Sequence, residues 1–237
     1  MGTPPSANQW WLDRAAARSP IVQRSRDRSI RQAKQIVDAA IDLIGEKGSS
    51  FTIKELAKHA GIALQTFYRH FSGKDELLLA VIEEVVGESM VTLEALAQDL
   101  PNPLDRLRFY ITAIVTSLDD ESLSALRRFI TAEHYRLHQL FPHELSEADR
   151  AFTDLLIPEI RAATDAGLLA PHDIDASAWL ITELAMATFH HYAYATSKPP
   201  PGELAESLWQ FCLGALGGTR TDPVPRRRRP PAKKPVA

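Results

Sequence analysis

The sequence predicts an all-α protein of about nine helices, with a small N-terminal group of three helices and a larger helical domain after it. Apolar residues recur three and four positions apart along most of the chain, whereas no segment alternates apolar and polar residues as a half-buried strand does. Glycine and proline interrupt this pattern where helices should end. The predicted parts are a flexible N-terminal extension (1–27), a three-helix domain (28–75), a helical body (76–217) and a disordered basic tail (218–237).

Charge is unevenly distributed along the 237 residues, although the net charge is only -3. Residues 1–74 contain 12 Lys or Arg and 6 Asp or Glu, residues 75–225 contain 9 and 24, and residues 226–237 contain 6 and none. The N-terminal part is therefore basic and the body is acidic. This division favours contact between the N-terminal part and a polyanion, and it disfavours such contact for the body.

Composition also limits the class of protein. The single cysteine, Cys212, excludes an intrachain disulfide framework and a thiolate metal cluster. The N-terminus lacks the basic and apolar regions of a signal peptide, and no apolar stretch is long enough to span a membrane. We therefore expect a cytoplasmic protein without a membrane contact.

Two short helices separated by a glycine form the most informative stretch. Thr52 and Glu55 match the T-x-x-E capping box that begins a helix, and Phe51 and Leu56 occupy the positions of a hydrophobic staple. Gly61 stands where this helix should end, because glycine adopts a left-handed conformation without strain.

The next helix is predicted at Ala63–Phe71. With Phe67 at the centre of its buried face, Leu64 falls on the same side, and Gln65 and Arg69 point directly away. A short helix with an aromatic inner face and a polar outer face, preceded by a capped helix, is typical of a helix-turn-helix, whose second helix enters the major groove of DNA.

These residues resemble the DNA-binding signature of the TetR family of bacterial transcriptional regulators. The resemblance is carried by Thr52, Leu56, Ala57, Ala60, Gly61, Ile62, Thr66, Phe67, Tyr68, Arg69, His70, Phe71, Lys74 and Leu77. Two positions depart from the family pattern. Ala63 lacks a capping side chain, and Gln65 replaces a small residue or proline and can bond to an adenine edge.

The resemblance implies a homodimeric repressor that binds a palindromic operator and is released by a small, largely apolar effector. The expected phosphate contacts are Thr52, Tyr68, His70 and Lys74, and the expected base contacts are Lys54, Gln65, Thr66 and Arg69. The dimer would form through residues 174–216. The residues expected to line the effector pocket are Phe109, Phe129, Glu133, Tyr135, His138, Phe152, Trp179, His190 and Tyr194. Core packing or a dimer contact is the alternative for each pocket residue, and residues 174–216 would otherwise only complete the core of the body.

The remaining helices follow from periodicity and breaks. A first helix is predicted from Ser29 to Glu46, ending at Gly48, and a long helix from Gly73 to the residues before Pro101 would link the two domains and transmit movement between them. Further helices are predicted at about 103–118, 122–140, 145–166, 174–196 and 203–216, with a kink or a division at Pro158 in the third of these.

Several features leave alternatives open. Arg18, Arg24, Arg26, Arg28, Arg31 and Lys34 would form either a basic arm in the minor groove or a solvated face. Trp10 and Trp11 would lie in a mobile leader or fold back on the protein.

His134 and His138 have a metal-binding spacing but lack the H-E-x-x-H pattern, so no metal or other cofactor is expected. No catalytic motif is found, and we expect no enzyme. The alternatives to an effector-released repressor are an activator, an effector-independent regulator, or a metal- or ligand-binding helical protein with a vestigial DNA-binding domain.

Overall fold

The computed structural model describes residues 18–197 and 199–218, and it confirms the all-α prediction within these ranges, where no strand occurs. Nine α-helices lie there, with three short 3-10 turns between them. The helices are α1 (Pro20–Lys47), α2 (Ile53–His59), α3 (Leu64–His70), α4 (Lys74–Ala97), α5 (Pro103–Thr116), α6 (Ser124–Leu140), α7 (Pro142–Asp165), α8 (Ile174–Ala193) and α9 (Pro201–Ala215).

Local signals determine the ends of the first helices. The capping box is confirmed, because the Thr52 hydroxyl accepts from the Glu55 amide and the Glu55 carboxylate accepts from the Thr52 amide. Gly61 has a φ of 66°, the left-handed conformation expected beyond a helix end. Ala63 precedes α3 and makes no side-chain cap, because a methyl group cannot accept a hydrogen bond.

Two hydrophobic cores hold the molecule together. The first is built mainly from α5, α7, α8 and α9 and includes Ile111, Leu156 and Trp209. The second contains the buried faces of α1 to α4, and it also contains Phe129 and Leu137 of α6 together with Leu145 of α7. The N-terminal three-helix domain is therefore packed directly on the body, and its core includes residues along α6 and near the start of α7.

Some predicted boundaries were wrong. Helix α1 begins at Pro20, nine residues before Ser29, so residues 20–27 of the predicted flexible extension are helical. Pro158 does not divide α7, which runs as one helix through it. Trp10, Trp11 and the basic residues 226–229 lie outside the described residues.

A search of the described helices finds none with the length and apolar character needed to cross a membrane.

Candidate nucleic-acid interface

Helix α3 presents a polar outer face because its inner face is buried. Phe67 is 0% exposed and Phe71 is also buried, whereas Gln65, Tyr68 and Arg69 are exposed. Leu64 was expected on the inner face but is partly exposed, because α3 begins there and its first turn extends beyond the core. The outer face can therefore meet another molecule without rearrangement.

Contacts with α1 hold the recognition helix in place. The Arg69 Nη2 atom donates to the Gln32 Oε1 atom at 3.1 Å, and Gln35 Nε2 donates to the Ala60 carbonyl oxygen at 2.8 Å. The first contact restrains the Arg69 side chain while leaving it exposed. The second joins α1 to the end of α2, immediately before the turn that leads to α3. Sequence reasoning missed both glutamines, since only the folded chain shows what they contact.

The start of α2 combines exposed and engaged groups. Lys54 is exposed, as a DNA contact requires. The Thr52 hydroxyl is already bonded within the capping box, so its proposed phosphate contact competes with the cap. Bonding to Lys47 and then to Thr52 lowers the pKa of Glu55 to about 2. Because this pKa is depressed, the stabilisation is present above pH 4.5 and is lost as the pH falls towards 2.

Lys74 does not face outward as a phosphate anchor. Its ammonium donates to the carbonyl oxygen of Phe51 at 2.6 Å and to that of Ser49, and it lies 4.5 Å from the centre of the Phe51 ring. Burial lowers the pKa of Lys74. These contacts join the start of α4 to the segment before α2. A phosphate contact of Lys74 would compete with these bonds, so it stays a prediction beside the positioning role that the bonds indicate.

His70 is only partly available for DNA. Its Nε2 atom is buried and has no hydrogen-bond partner among the described residues. A phosphate contact through this atom would require the side chain to turn. Of the four predicted phosphate contacts, Tyr68 is exposed, whereas Thr52, His70 and Lys74 would each need a local change.

A polar network joins the recognition domain to α6. Ser49 Oγ donates to Glu133 Oε1 at 2.8 Å, and Arg136 Nε donates to Glu133 Oε2 at 2.7 Å. Arg136 also pairs with Asp75 at the start of α4, at 2.8 Å. Glu133 was expected in an effector pocket, but it is bound at the domain junction instead. The sequence contained no signal for this network, because its members are distant along the chain.

The structure does not bring the predicted pocket residues together. Phe152 is buried in the first core, against which Phe109 also packs, whereas Phe129 is buried in the second core. Tyr135 is 74% exposed. Tyr194 lines a cleft beside Arg127 and donates to the Arg128 carbonyl oxygen at 2.8 Å. An aromatic-lined pocket made from the predicted set is therefore not present among the described residues.

Two of the predicted residues do share a cleft. His138 and Trp179 line a space of about 490 Å³ between α6, α7 and α8. The other lining residues are mostly polar or charged: Ser146, Asp149, Arg150, Thr153, Asp154, Ile157, Asp175, Thr182 and Glu183. The lining thus contains four carboxylates with one arginine and one histidine, which is more polar than the sequence led us to expect.

A histidine pair borders this cleft. His134 Nε2 lies 3.1 Å from Asp149 Oδ1, and this hydrogen bond raises the pKa of His134. The His190 ring lies 5.2 Å from the His134 ring, and its Nδ1 atom is 3.1 Å from the Thr131 hydroxyl. Burial, and then the neighbouring His134, lower the pKa of His190. A search of the described residues finds no group of three or more His, Cys, Asp or Glu placed to hold a metal ion.

The exposed outer face of α3, the capped α2 and the glycine turn between them define the class, a helix-turn-helix protein. Residues 36–81 match the profile described as bacterial regulatory proteins, tetR family. The HTH-type transcriptional regulator YerO of Bacillus subtilis (strain 168) is 29% identical over 130 residues, which cover 52% of this chain and 45% of that protein. The chain spans about half the length of the curated relatives it matches.

Solved structures extend the similarity to most of the fold. A tetR-family regulatory protein from Rhodococcus RHA1 aligns with a TM-score of 0.59 and 25% identity, over 80% of this chain and 98% of that one. FadR from Bacillus subtilis, in complex with stearoyl-CoA, aligns with a TM-score of 0.61 and 19% identity, over 77% of this chain and 98% of that one. The comparisons support assignment to the TetR family of bacterial regulatory proteins, with the family profile matched over residues 36–81.

The position of Lys74 generates a prediction about stability. Lys74→Met should lower the free energy of unfolding by about 1–3 kcal/mol, because the Ser49 and Phe51 carbonyl oxygens lose their charged donor. Urea unfolding of this variant and of Lys58→Met, which changes an exposed lysine of α2, provides the comparison. An unchanged stability, together with a salt dependence of DNA binding reduced by about one phosphate contact, would instead restore Lys74 as a phosphate anchor.

Proposed function

We propose that the protein is a homodimeric transcriptional repressor that reads a palindromic operator with α3 of each subunit. The observation that carries this proposal is the outer face of α3, where Gln65 and Arg69 are exposed while Phe67 is fully buried. Arginine donates two parallel hydrogen bonds to guanine, and glutamine bonds in the same way to adenine. Lys54 and Thr66 would add further base contacts, and the exposed Tyr68 would contact a phosphate.

The charge distribution supports the same surface. The basic excess lies in residues 1–74, which contain α1 to α3, and the body after them is acidic. The body would be repelled by the phosphate backbone, so a complex with DNA is favoured only when the helix-turn-helix faces the duplex.

Dimer formation is supported by apolar side chains on the last two helices. Trp179 and Leu180 of α8 are 55% and 58% exposed, and Phe211 of α9 is 66% exposed. Large apolar groups on neighbouring helices are costly to leave in water, and a second copy of the chain would cover them. A helix as short as α3 contacts few bases, whereas two copies held one helical repeat apart read an inverted repeat.

We further propose that a small, largely apolar effector binds in the C-terminal domain and releases the DNA. The cleft between α6, α7 and α8 offers Trp179 and Ile157 for apolar contact. Its four carboxylates disfavour an anionic ligand. FadR, which shares the fold, binds stearoyl-CoA, but the phosphates of such a thioester would be repelled from this cleft.

Helix α6 supplies a path from this cleft to the DNA-binding domain. His138 lines the cleft, and Glu133 and Arg136 of the same helix contact Ser49 and Asp75. An effector that displaced α6 would therefore change the orientation of the recognition helix. Helix α4 was proposed from the sequence as the transmitter, and α6 is a second, directly bonded route.

Arg69→Ala should weaken binding to the preferred operator by about 5- to 150-fold, because a bidentate contact to a base is worth about 1–3 kcal/mol. Fluorescence anisotropy, with a duplex selected by the full chain from a random-sequence pool, measures this effect. Binding to an unselected duplex should change little. Arg161→Ala, on the exposed face of α7, is the matched control, and equal selectivity of the Arg69→Ala and wild-type proteins would reject the base contact.

The double change Leu180→Asp and Phe211→Asp should convert the dimer into a monomer, because a carboxylate buried in an apolar interface costs several kcal/mol. Sedimentation equilibrium measures the mass of each form. Tyr135→Asp introduces the same charge at an exposed position on α6 and should leave the mass unchanged. A wild-type monomer, or a double variant with the wild-type mass, would contradict the proposed interface.

The effector proposal is tested with decyltrimethylammonium and decanoate, which combine one chain length with opposite charges. The cation should lower operator affinity by about 5- to 150-fold, the usual range of allosteric coupling, and decanoate should not. DNA should lower the affinity for the cation by the same factor. Stronger release by decanoate or stearoyl-CoA would show that the effector is anionic and binds elsewhere.

A further inference from the structure

The first three turns of α1 project away from the rest of the molecule. Every residue from Pro20 to Arg31 is exposed, and the first buried residue of the helix is Ile36. At about 1.5 Å per residue, these twelve residues form a rod about 18 Å long. An isolated helix of this length is only marginally stable in water. Burial against the described part of the chain therefore does not explain why the helix continues so far.

The projecting part is strongly basic. Residues 20–31 contain four arginines and one aspartate, a net charge of +3. Arg24 and Arg28 are four residues apart, a spacing at which like charges destabilise a helix. Lys34, by contrast, is bound to Asp38 and Glu84, each at 2.7 Å, and is not available to DNA. Within the described part of the chain, Arg24, Arg28 and Arg31 form no ion pair with a carboxylate.

The arginines are arranged on one side of this rod. Arg28 precedes Gln32 by four residues, and Arg31 precedes Gln35 by four, so each arginine shares a face with a glutamine one turn further along. Gln32 bonds to Arg69 of the recognition helix, and Gln35 bonds to the Ala60 carbonyl oxygen at the end of α2. Arg28 and Arg31 therefore lie on the side of α1 that faces the helix-turn-helix.

Arg24 continues the same stripe, because it lies one turn before Arg28. Arg26, two residues from Arg28, lies about 200° around the helix and points away. The projecting helix thus has a basic stripe in line with Arg69 and a single arginine on its opposite side.

We propose that this stripe is a second DNA-binding surface, in which Arg28 and Arg31, continued by Arg24, bind phosphates of the duplex beside the bases read by α3. The partner is a phosphate backbone because the charged groups of the stripe are arginines without a carboxylate partner, and duplex DNA carries one negative charge per about 1.7 Å of its axis. The inference rests on the proposed function, since it places the stripe beside an occupied recognition helix. Contacts of this kind strengthen binding to all sequences alike.

The test compares Arg28→Gln/Arg31→Gln with the matched variant Arg26→Gln. Glutamine removes the charge and has a helix propensity close to that of arginine, so α1 should persist in each variant, as circular dichroism at 222 nm checks. Affinities for the selected duplex and for an unselected 40-base-pair duplex are measured by fluorescence anisotropy over a range of salt concentrations. The slope of log K against log salt should fall by about 3.6 in the double variant, because the homodimer loses four phosphate contacts and each of them contributes about 0.9.

The expected result is this loss of slope on both duplexes, with sequence preference retained, and a wild-type slope in Arg26→Gln. An unchanged slope in the double variant, with Arg69→Ala still impairing selectivity, would overturn the second surface and leave the proposed function intact. Absence of DNA binding by the wild-type protein would instead defeat the proposed function. An altered dimer mass in the double variant, with an unchanged slope, would assign the stripe to a protein contact and also overturn the proposal.

Discussion

The burial of Phe67 is the constraint on which the arrangement of the recognition helix depends. Helix α3 has only seven residues, and a helix of this length is not stable in water without tertiary contacts. Phe67 is enclosed in the second core, with its ring centre 5.2 Å from that of Tyr68 and 5.7 Å from that of Phe71. This burial determines the rotation of α3 about its axis. Gln65 and Arg69 then face outward because they lie on the opposite side of the helix.

The same core joins the N-terminal domain to the body. Phe129 and Leu137 of α6 pack in the core that contains Phe67, and Glu133 of the same helix accepts a hydrogen bond from Ser49. A close-packed core does not deform continuously, so a shift of α6 requires either a shift of the helix-turn-helix or a loss of packing. Coupling between the body and the recognition helix therefore follows from contact between α6 and α1 to α4.

Charge and geometry act together in the basic part of the chain. Lys34, Lys47 and Lys74 are engaged within the protein, with carboxylates or with backbone carbonyl oxygens. Lys54, Arg69 and the arginines of the projecting part of α1 are exposed. Net charge alone treats all these cations as equal. Lys34 and Lys47 are exposed as well, but carboxylates already pair with them. The cations without a carboxylate or carbonyl partner are therefore the ones best placed to release counterions from a nucleic acid, and the engaged lysines support the fold that presents them.

What the sequence by itself determined was local. The capping box at Thr52 and Glu55, the left-handed Gly61 and the buried Phe67 all depend on residues a few positions apart, and their periodicity was sufficient to predict the helix-turn-helix and the all-α fold. The roles of Lys74 and Glu133, and the length of α1, could not be predicted in this way. Lys74 meets Ser49 and Phe51 more than twenty residues away, and Glu133 meets Ser49 from the other domain. Only the tertiary structure decided these contacts, because a polar side chain that is suitable for a phosphate or a ligand is equally suitable for a carbonyl oxygen or a hydroxyl that folding brings close.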